Sequence, residues 1–99
     1  MSVPTAGKEN PVHHNMEASR FEILIGGILA VLEYQQQEGR VIFIHTEVPA
    51  RLEGHGIGSR LARAGLEYAR QHELKVIPLC SFIAAYIRKH PEYQDLREP

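Results

Sequence analysis

The segment Pro49-Ala50-Arg51-Leu52-Glu53-Gly54-His55-Gly56-Ile57-Gly58-Ser59 carries glycine at three alternating positions, directly before an amphipathic run. With no side chains at Gly54, Gly56 and Gly58, an anion can come close to the backbone N–H groups. The run that follows reads as a helix. Its first N–H groups have no partner within the helix, and its dipole is positive at that end. A glycine-rich loop feeding a helix start is a phosphate or pyrophosphate site on physical grounds. The second position with chemistry of its own is Cys80, the one cysteine of the chain. It closes an apolar run and stands just before a second helix start, where the dipole lowers the pKa of a thiol. A free cysteine also reads as a small buried hydrophobe. Its place at a helix start favours a functional role.

Several phosphate motifs are excluded. The nucleotide-binding P-loop needs a lysine before its Ser or Thr, and this segment has none. The dinucleotide fingerprint fails as well. Counted from Gly54 its third glycine falls on Ser59, and counted from Gly56 it falls on Leu61. No acidic ribose ligand follows at ~20 residues. His13 and His14 are adjacent, but two ligands on a terminal segment do not make a metal site, and no metal is expected. Lys plus Arg number 11 against 12 Asp plus Glu, a formal charge of −1, which speaks against a nucleic-acid binder. No apolar run approaches the ~20 residues of a membrane span. With one cysteine there is no internal disulfide, and a reducing cytoplasm is the expected setting. No signal peptide is recognisable.

The elements that must position these residues are few. At 99 residues, with 43% hydrophobic and 23% charged side chains, the chain has room for one small domain with a modest core. Residues 1–18 are rich in turn formers and poor in apolar pattern, so they read as a flexible tail ahead of a domain over residues 19–99. Arg20 to Ile25 alternates as a strand. Gly26-Gly27 supplies a two-residue hairpin turn, and Ile28 to Gln36 runs back. After a polar turn at Gln37 to Gly39, Arg40 to Val48 is apolar on both faces, the pattern of a central strand buried on both sides. Its alternation places His45 and Glu47 on the face of Val41 and Phe43. Ile57 to His72 then reads as an amphipathic helix, and Leu74 to Cys80 as a fourth strand. A helix capped by Ser81 presents Phe82, Ile83, Tyr86 and Ile87 and ends before Pro91. Tyr93 and Leu96 anchor the end of the chain. The order β-β-β-α-β-α predicts antiparallel hairpins leading into one parallel β-α-β crossover. In such a sheet ligands sit beyond the carboxyl ends of the strands, between the Pro49–Gly58 loop and the Cys80-Ser81 junction.

Val48-Pro49, the glycines at 54, 56 and 58, and Leu61 resemble the acetyl-CoA signature of the GNAT superfamily of N-acetyltransferases. With His45-Thr46-Glu47-Val48-Pro49, Cys80 and His90-Pro91-Glu92-Tyr93, the chain resembles a family of short, single-domain GNAT-like proteins over Phe21 to Leu96. The resemblance implies a compact α/β GNAT-like fold and acetyl-CoA or coenzyme A as the bound group. It departs from the signature at one point: the Gln or Arg position falls on Glu53. Shifted by two residues, Arg51, Gly54 and Gly56 fit. Glu53 is then expected to face solvent, with the N–H groups of His55, Gly56, Ile57, Gly58 and Ser59 holding phosphate and Arg51 or Arg60 assisting. The resemblance also implies that the pantetheine arm pairs with the backbone of Thr46, Glu47 and Val48, where the two parallel strands splay. Pro78, lacking an N–H, is tolerable where the ladder opens.

Acetyl transfer to an amine needs a neutral amine, a stabilised oxyanion and a protonated leaving thiolate. Glu47 and His45 are candidate bases; an ion pair, a rim position or a satisfied core histidine are the plain alternatives. Cys80 reads as an acyl acceptor or a proton donor to the leaving thiolate. Tyr86 is the alternative donor implied by the resemblance, although it shares an apolar stripe. The acceptor amine is not encoded. Full-length GNAT domains carry helices between the first two strands, and here Gly26-Gly27 alone joins them. The acceptor side is therefore open, suiting a large acceptor such as a protein surface, or completion by a second copy of a monomer or weak homodimer. The rival readings are a non-catalytic acyl-CoA-binding or regulatory module and a nucleotide-phosphate binder using the same loop.

Overall fold

The computed structural model describes residues 10–99. Five strands, β1 (His13–Asn15), β2 (Arg20–Ile25), β3 (Ile28–Gln37), β4 (Arg40–Glu47) and β5 (Lys75–Pro78), form one sheet in the order β1-β2-β3-β4-β5. Helix α1 (Ile57–Gln71) connects β4 to β5, and helix α2 (Ser81–Lys89) follows β5. A 3-10 turn at Ala50–Leu52 precedes the glycine loop, and a 3-10 segment at Pro91–Leu96 closes the chain. The first four strands are antiparallel and β4-β5 is parallel, as the element order requires. Gly26 and Gly27 have φ of 56° and 78°, so the β2-β3 turn needs the positive angles that glycine adopts without cost.

The tail expected over residues 1–18 is corrected in its second part. Residues 13–15 form β1 and pair with Arg20, Phe21 and Glu22. Residues 1–9 lie outside the described residues. What holds this short strand is ring packing rather than apolar alternation. His14 stacks on Phe21 at 4.0 Å, its Nε2 lies 2.6 Å from the Tyr34 hydroxyl, and Tyr68 of α1 meets it edge-on at 4.6 Å. A three-residue strand held by one histidine leaves no periodic trace in sequence.

The core lies on one face of the sheet. Phe21, Ile23, Ala30, Leu32, Tyr34, Val41, Phe43 and Val76 form one cluster with Leu61, Leu66, Ile83 and Ile87 of the two helices. Gly65 lets α1 approach closely, because a Cβ there would lie 2.8 Å from Phe43 and 2.9 Å from Leu32. The opposite face is not layered with helices, so β4 is not buried on both sides as its composition suggests: Ile44 is 42% exposed.

The strand ends differ too. β5 ends at Pro78, and the Leu79 N–H turns back onto the Ile77 carbonyl at 3.2 Å. Cys80, not Ser81, is the N-cap residue of α2, and its carbonyl accepts the Ala84 N–H. Tyr93 and Leu96 are buried anchors, as expected.

Candidate functional site

The site is shaped by a bulge in β4. Phe43 is paired with Tyr34 and His45 with Glu33, which leaves Ile44 as an extra residue without an opposite number. A bulge reverses the alternation beyond it. Thr46 consequently lies opposite the core residue Leu32, on the helix-covered face. Glu47 lies opposite Val31, on the other face. The expectation that His45 and Glu47 share the face of Val41 and Phe43 is thus overturned. Their side chains are 55% and 67% exposed and form an ion pair at 3.5 Å when His45 is protonated.

Past the bulge, β4 loses its partner on the β5 side. The ladder ends at the Phe43–Pro78 pair, and the Phe43 carbonyl accepts the Cys80 N–H at 2.9 Å. Residues 44–47 continue as strand against β3 alone. Pro78 sits where this opening begins. Two residues before it, the Val76 carbonyl accepts the Glu98 N–H at 2.9 Å on the outer edge, and at Pro78 no edge donor is needed.

A cleft of about 420 Å³ lies at this opening, lined by Thr46, Val48, Leu52, Glu53, Gly54, Gly56, Ile57, Gly58, Ser59 and Phe82. Gly56 is the N-cap residue of α1 with φ 74°, and no side chain caps the helix. The Arg60 N–H bonds to the Gly56 carbonyl, so the N–H groups of Ile57, Gly58 and Ser59 precede the first helical bond. Gly54 and Gly56 have open space where a Cβ would stand. The geometry is that of an anion cradle: free donors, a positive helix end and open space at Gly54 and Gly56.

Of the residues singled out by sequence, the cleft gathers Thr46, Val48, Gly54, Gly56, Ile57, Gly58 and Ser59. Arg51 and His55 are exposed and do not line it. Glu53 is exposed, as expected, yet it also borders the cleft. Arg60 is hydrogen-bonded to the Asn10 carbonyl. Cys80 is 7% exposed and lies behind Thr46, with Sγ 3.1 Å from Oγ1. Tyr86 does not reach the cleft. Its ring is buried and stacks on His90 at 3.8 Å. Sequence reasoning missed Leu52 and Phe82 as lining residues. Leu52 is the one large apolar residue inside a polar loop, which was its available signal. Phe82, assigned to the buried stripe of α2, is instead 41% exposed and covers Gly58, where a Cβ would be 2.8 Å from its ring.

The sequence model of the GCN5-related N-acetyl-transferases matches residues 20–96. This chain belongs to that family. Among its relatives is Protein NATD1 of Mus musculus, 31% identical over 93 residues, covering 89% of this chain and 84% of the relative. Protein NATD1 of Homo sapiens is 31% identical over 93 residues, covering 89% and 82%. The NMR solution structure of a GCN5-like protein from Staphylococcus aureus superposes with a TM-score of 0.73 at 28% identity, covering 93% of this chain and 91% of that one. The family and this structural likeness agree with the mixed five-stranded sheet, its one parallel pair and the two helices. Among the described residues no helix is long and apolar enough to cross a membrane, and no group of three or more His, Cys, Asp or Glu residues is arranged to hold a metal ion.

Proposed function

We propose that the protein binds acetyl-CoA in the cleft at the end of β4 and transfers the acetyl group to an amine. The observation that carries this reading is the uncapped start of α1 at Gly56, set beside a strand that has lost its β5 partner. Acetyl-CoA supplies an activated thioester. The N–H groups of Ile57, Gly58 and Ser59 hold its pyrophosphate, and the helix dipole favours the negative charge. The backbone of residues 46–48 pairs with the amides of the pantetheine arm. This brings the thioester toward Thr46 and Cys80. Cys80 would either donate its S–H proton to the departing CoA sulfur or, as thiolate, displace CoA thiolate from the acetyl group to form an acetyl-cysteine thioester, from which the amine then displaces the Cys80 thiolate. Thr46 and Glu47 are neighbours on opposite faces of the sheet. CoA thus reaches the opening from the Thr46 side and the amine from the Glu47 side, where Glu47 and His45 stand ready to take its proton. The helix-free face leaves that side accessible to a large acceptor, a protein surface included. A reducing cytoplasm, where a lone thiol stays reduced, suits this reading.

The near-complete burial of Cys80 favours a second reading, an acyl-CoA-binding module without efficient transfer. Incubation with acetyl-CoA and a panel of amines and peptides, following release of free CoA thiol, separates the two. Release above background hydrolysis supports transfer; binding without release leaves the module. Thermal shift with acetyl-CoA, CoA, ATP and NAD tests the cofactor itself, and stabilisation by ATP or NAD but not CoA overturns both.

A further inference from the structure

Leu79 is the most exposed large apolar side chain among the described residues, at 69%. Ile44 is exposed as well. The two stand at one point of the fold. The Phe43 carbonyl accepts the Cys80 N–H at 2.9 Å, the hydrogen bond at which β4 parts from the β5 segment. Ile44 follows Phe43 and Leu79 precedes Cys80, so the pair flanks that bond. Their neighbours down the seam are apolar too. Ile42 pairs with Ile77, and both are half-buried. Val41, Phe43 and Val76 of the same strands are buried under the helices, so alternation puts Ile42 and Ile77 on the helix-free face. Ile44, Leu79, Ile42 and Ile77 make an apolar strip at the β4-β5 seam.

This strip begins where the cleft ends. Thr46 lines the cleft, and its hydroxyl touches the Cys80 sulfur. Ile44 stands two residues earlier on β4, and from there on β4 has no β5 partner to close the sheet. A thioester delivered to Thr46 and Cys80 carries its acyl group to that gap. An acetyl group ends there. A longer chain continues onto Ile44 and Leu79 and then along Ile42 and Ile77, about 7 Å farther by the rise of two strand residues. His45 and Glu47 lie on the other side of Ile44 along β4, so the chain leaves the amine's proton acceptors free. Four side chains fall well short of the roughly 20 residues a side of a stable protein interface. They suffice for one alkyl chain.

We infer that the protein takes acyl-CoA thioesters with a linear chain longer than acetyl, of octanoyl type, and seats that chain on Ile44, Leu79, Ile42 and Ile77. The inference rests on the cofactor reading above and names the donor class for the same site. A methylene fully withdrawn from water is worth about fourfold in affinity, and one laid on an open strip correspondingly less.

Titration calorimetry of the full chain with CoA, acetyl-CoA and octanoyl-CoA tests this. Octanoyl-CoA is expected to bind about tenfold or more tightly than acetyl-CoA. In the Ile44→Thr, Leu79→Ser double variant this preference should shrink to about threefold or less, with CoA and acetyl-CoA affinities unchanged. Leu79→Ser alone, outside the core, should lower the preference by about threefold and serves if the double variant does not fold. Equal affinity of the wild type for acetyl-CoA and octanoyl-CoA overturns the acyl strip and leaves the cofactor reading standing, as does a preference that survives both substitutions. A ligand-free dimer in sedimentation that Leu79→Ser dissociates assigns the strip to contact between copies and overturns it as well. Failure of all three ligands to bind overturns the cofactor reading and the strip with it.

Discussion

The Thr46 hydroxyl lies 3.1 Å from the Cys80 sulfur, across the point where β4 and β5 part. Either atom can donate. The two residues are 34 apart in the chain and are joined because the bulge at Ile44 turns Thr46 to the face on which Cys80 begins α2. If Cys80 acts on the thioester, Thr46 fixes the direction of its thiol. Cys80→Ala is expected to reduce acetyl transfer by ~10²-fold or more, the usual scale for a lost acid or base. Thr46→Val should reduce it by roughly three- to tenfold, the worth of one hydrogen bond, and Thr46→Ser should restore it. Steady-state rates with unchanged CoA affinity are the measurement. An unaltered rate in Cys80→Ala would return the thiol to packing alone.

Gly56 stands at φ 74° with open space around it. Gly56→Val forces a β-branched residue into the left-handed region and places bulk in the anion cradle. Acetyl-CoA affinity is expected to fall more than roughly tenfold, because the N–H groups after Gly56 lose their alignment. The far-ultraviolet circular dichroism spectrum should stay unchanged, because the residue precedes the helix. Calorimetry that finds wild-type affinity in Gly56→Val would contradict the cradle.

Gly65 makes a separate claim about the scaffold. A Cβ here meets the Phe43 ring at 2.8 Å and Leu32 at 2.9 Å, both in the centre of the core. Gly65→Val should destabilise the fold by roughly 1–3 kcal/mol through overpacking. Urea unfolding followed by circular dichroism reads this as a lower midpoint with little change in slope.

Strands β2 to β5, both helices and the glycine loop before α1 were legible because each announces itself locally, by alternation, by helical spacing or by glycine at a helix start. Two features were not. The bulge at Ile44 is a property of the β3-β4 pairing, and nothing in the Ile42-Phe43-Ile44-His45 run marks which residue is extra. Missing it put Glu47 on the wrong face and hid the contact between Thr46 and Cys80. β1 was the other. Its hold on the sheet is a histidine seated among rings from β2, β3 and α1, a purely tertiary arrangement. Phe82 shows a third limit. Helical spacing placed it beside Ile83 and Tyr86, but the absence of a side chain at Gly58 draws its ring over the end of α1.

The seat of His14 has a consequence for pH. Burial, followed by the nearby His13 and His72, lowers its pKa from 6.5. A histidine whose folded pKa is depressed takes up a proton more readily in the unfolded chain. Its contribution to stability is therefore complete above 6.5, the unfolded value, and is lost as pH falls from there toward the folded value. Glu22, whose pKa is held down by Arg20, loses its contribution in a different window, below 4.5. Urea midpoints measured between about pH 5 and 8 isolate the histidine. They are expected to fall with acidification in the wild type and to fall less in His14→Phe, which keeps the stack on Phe21 but cannot titrate. Native-state hydrogen exchange should show the loss first at the β1-β2 pairs, since His14 Nε2 and the Tyr34 hydroxyl, 2.6 Å apart, tie this strand to β3. Parallel pH dependence in wild type and His14→Phe would assign the effect to other groups.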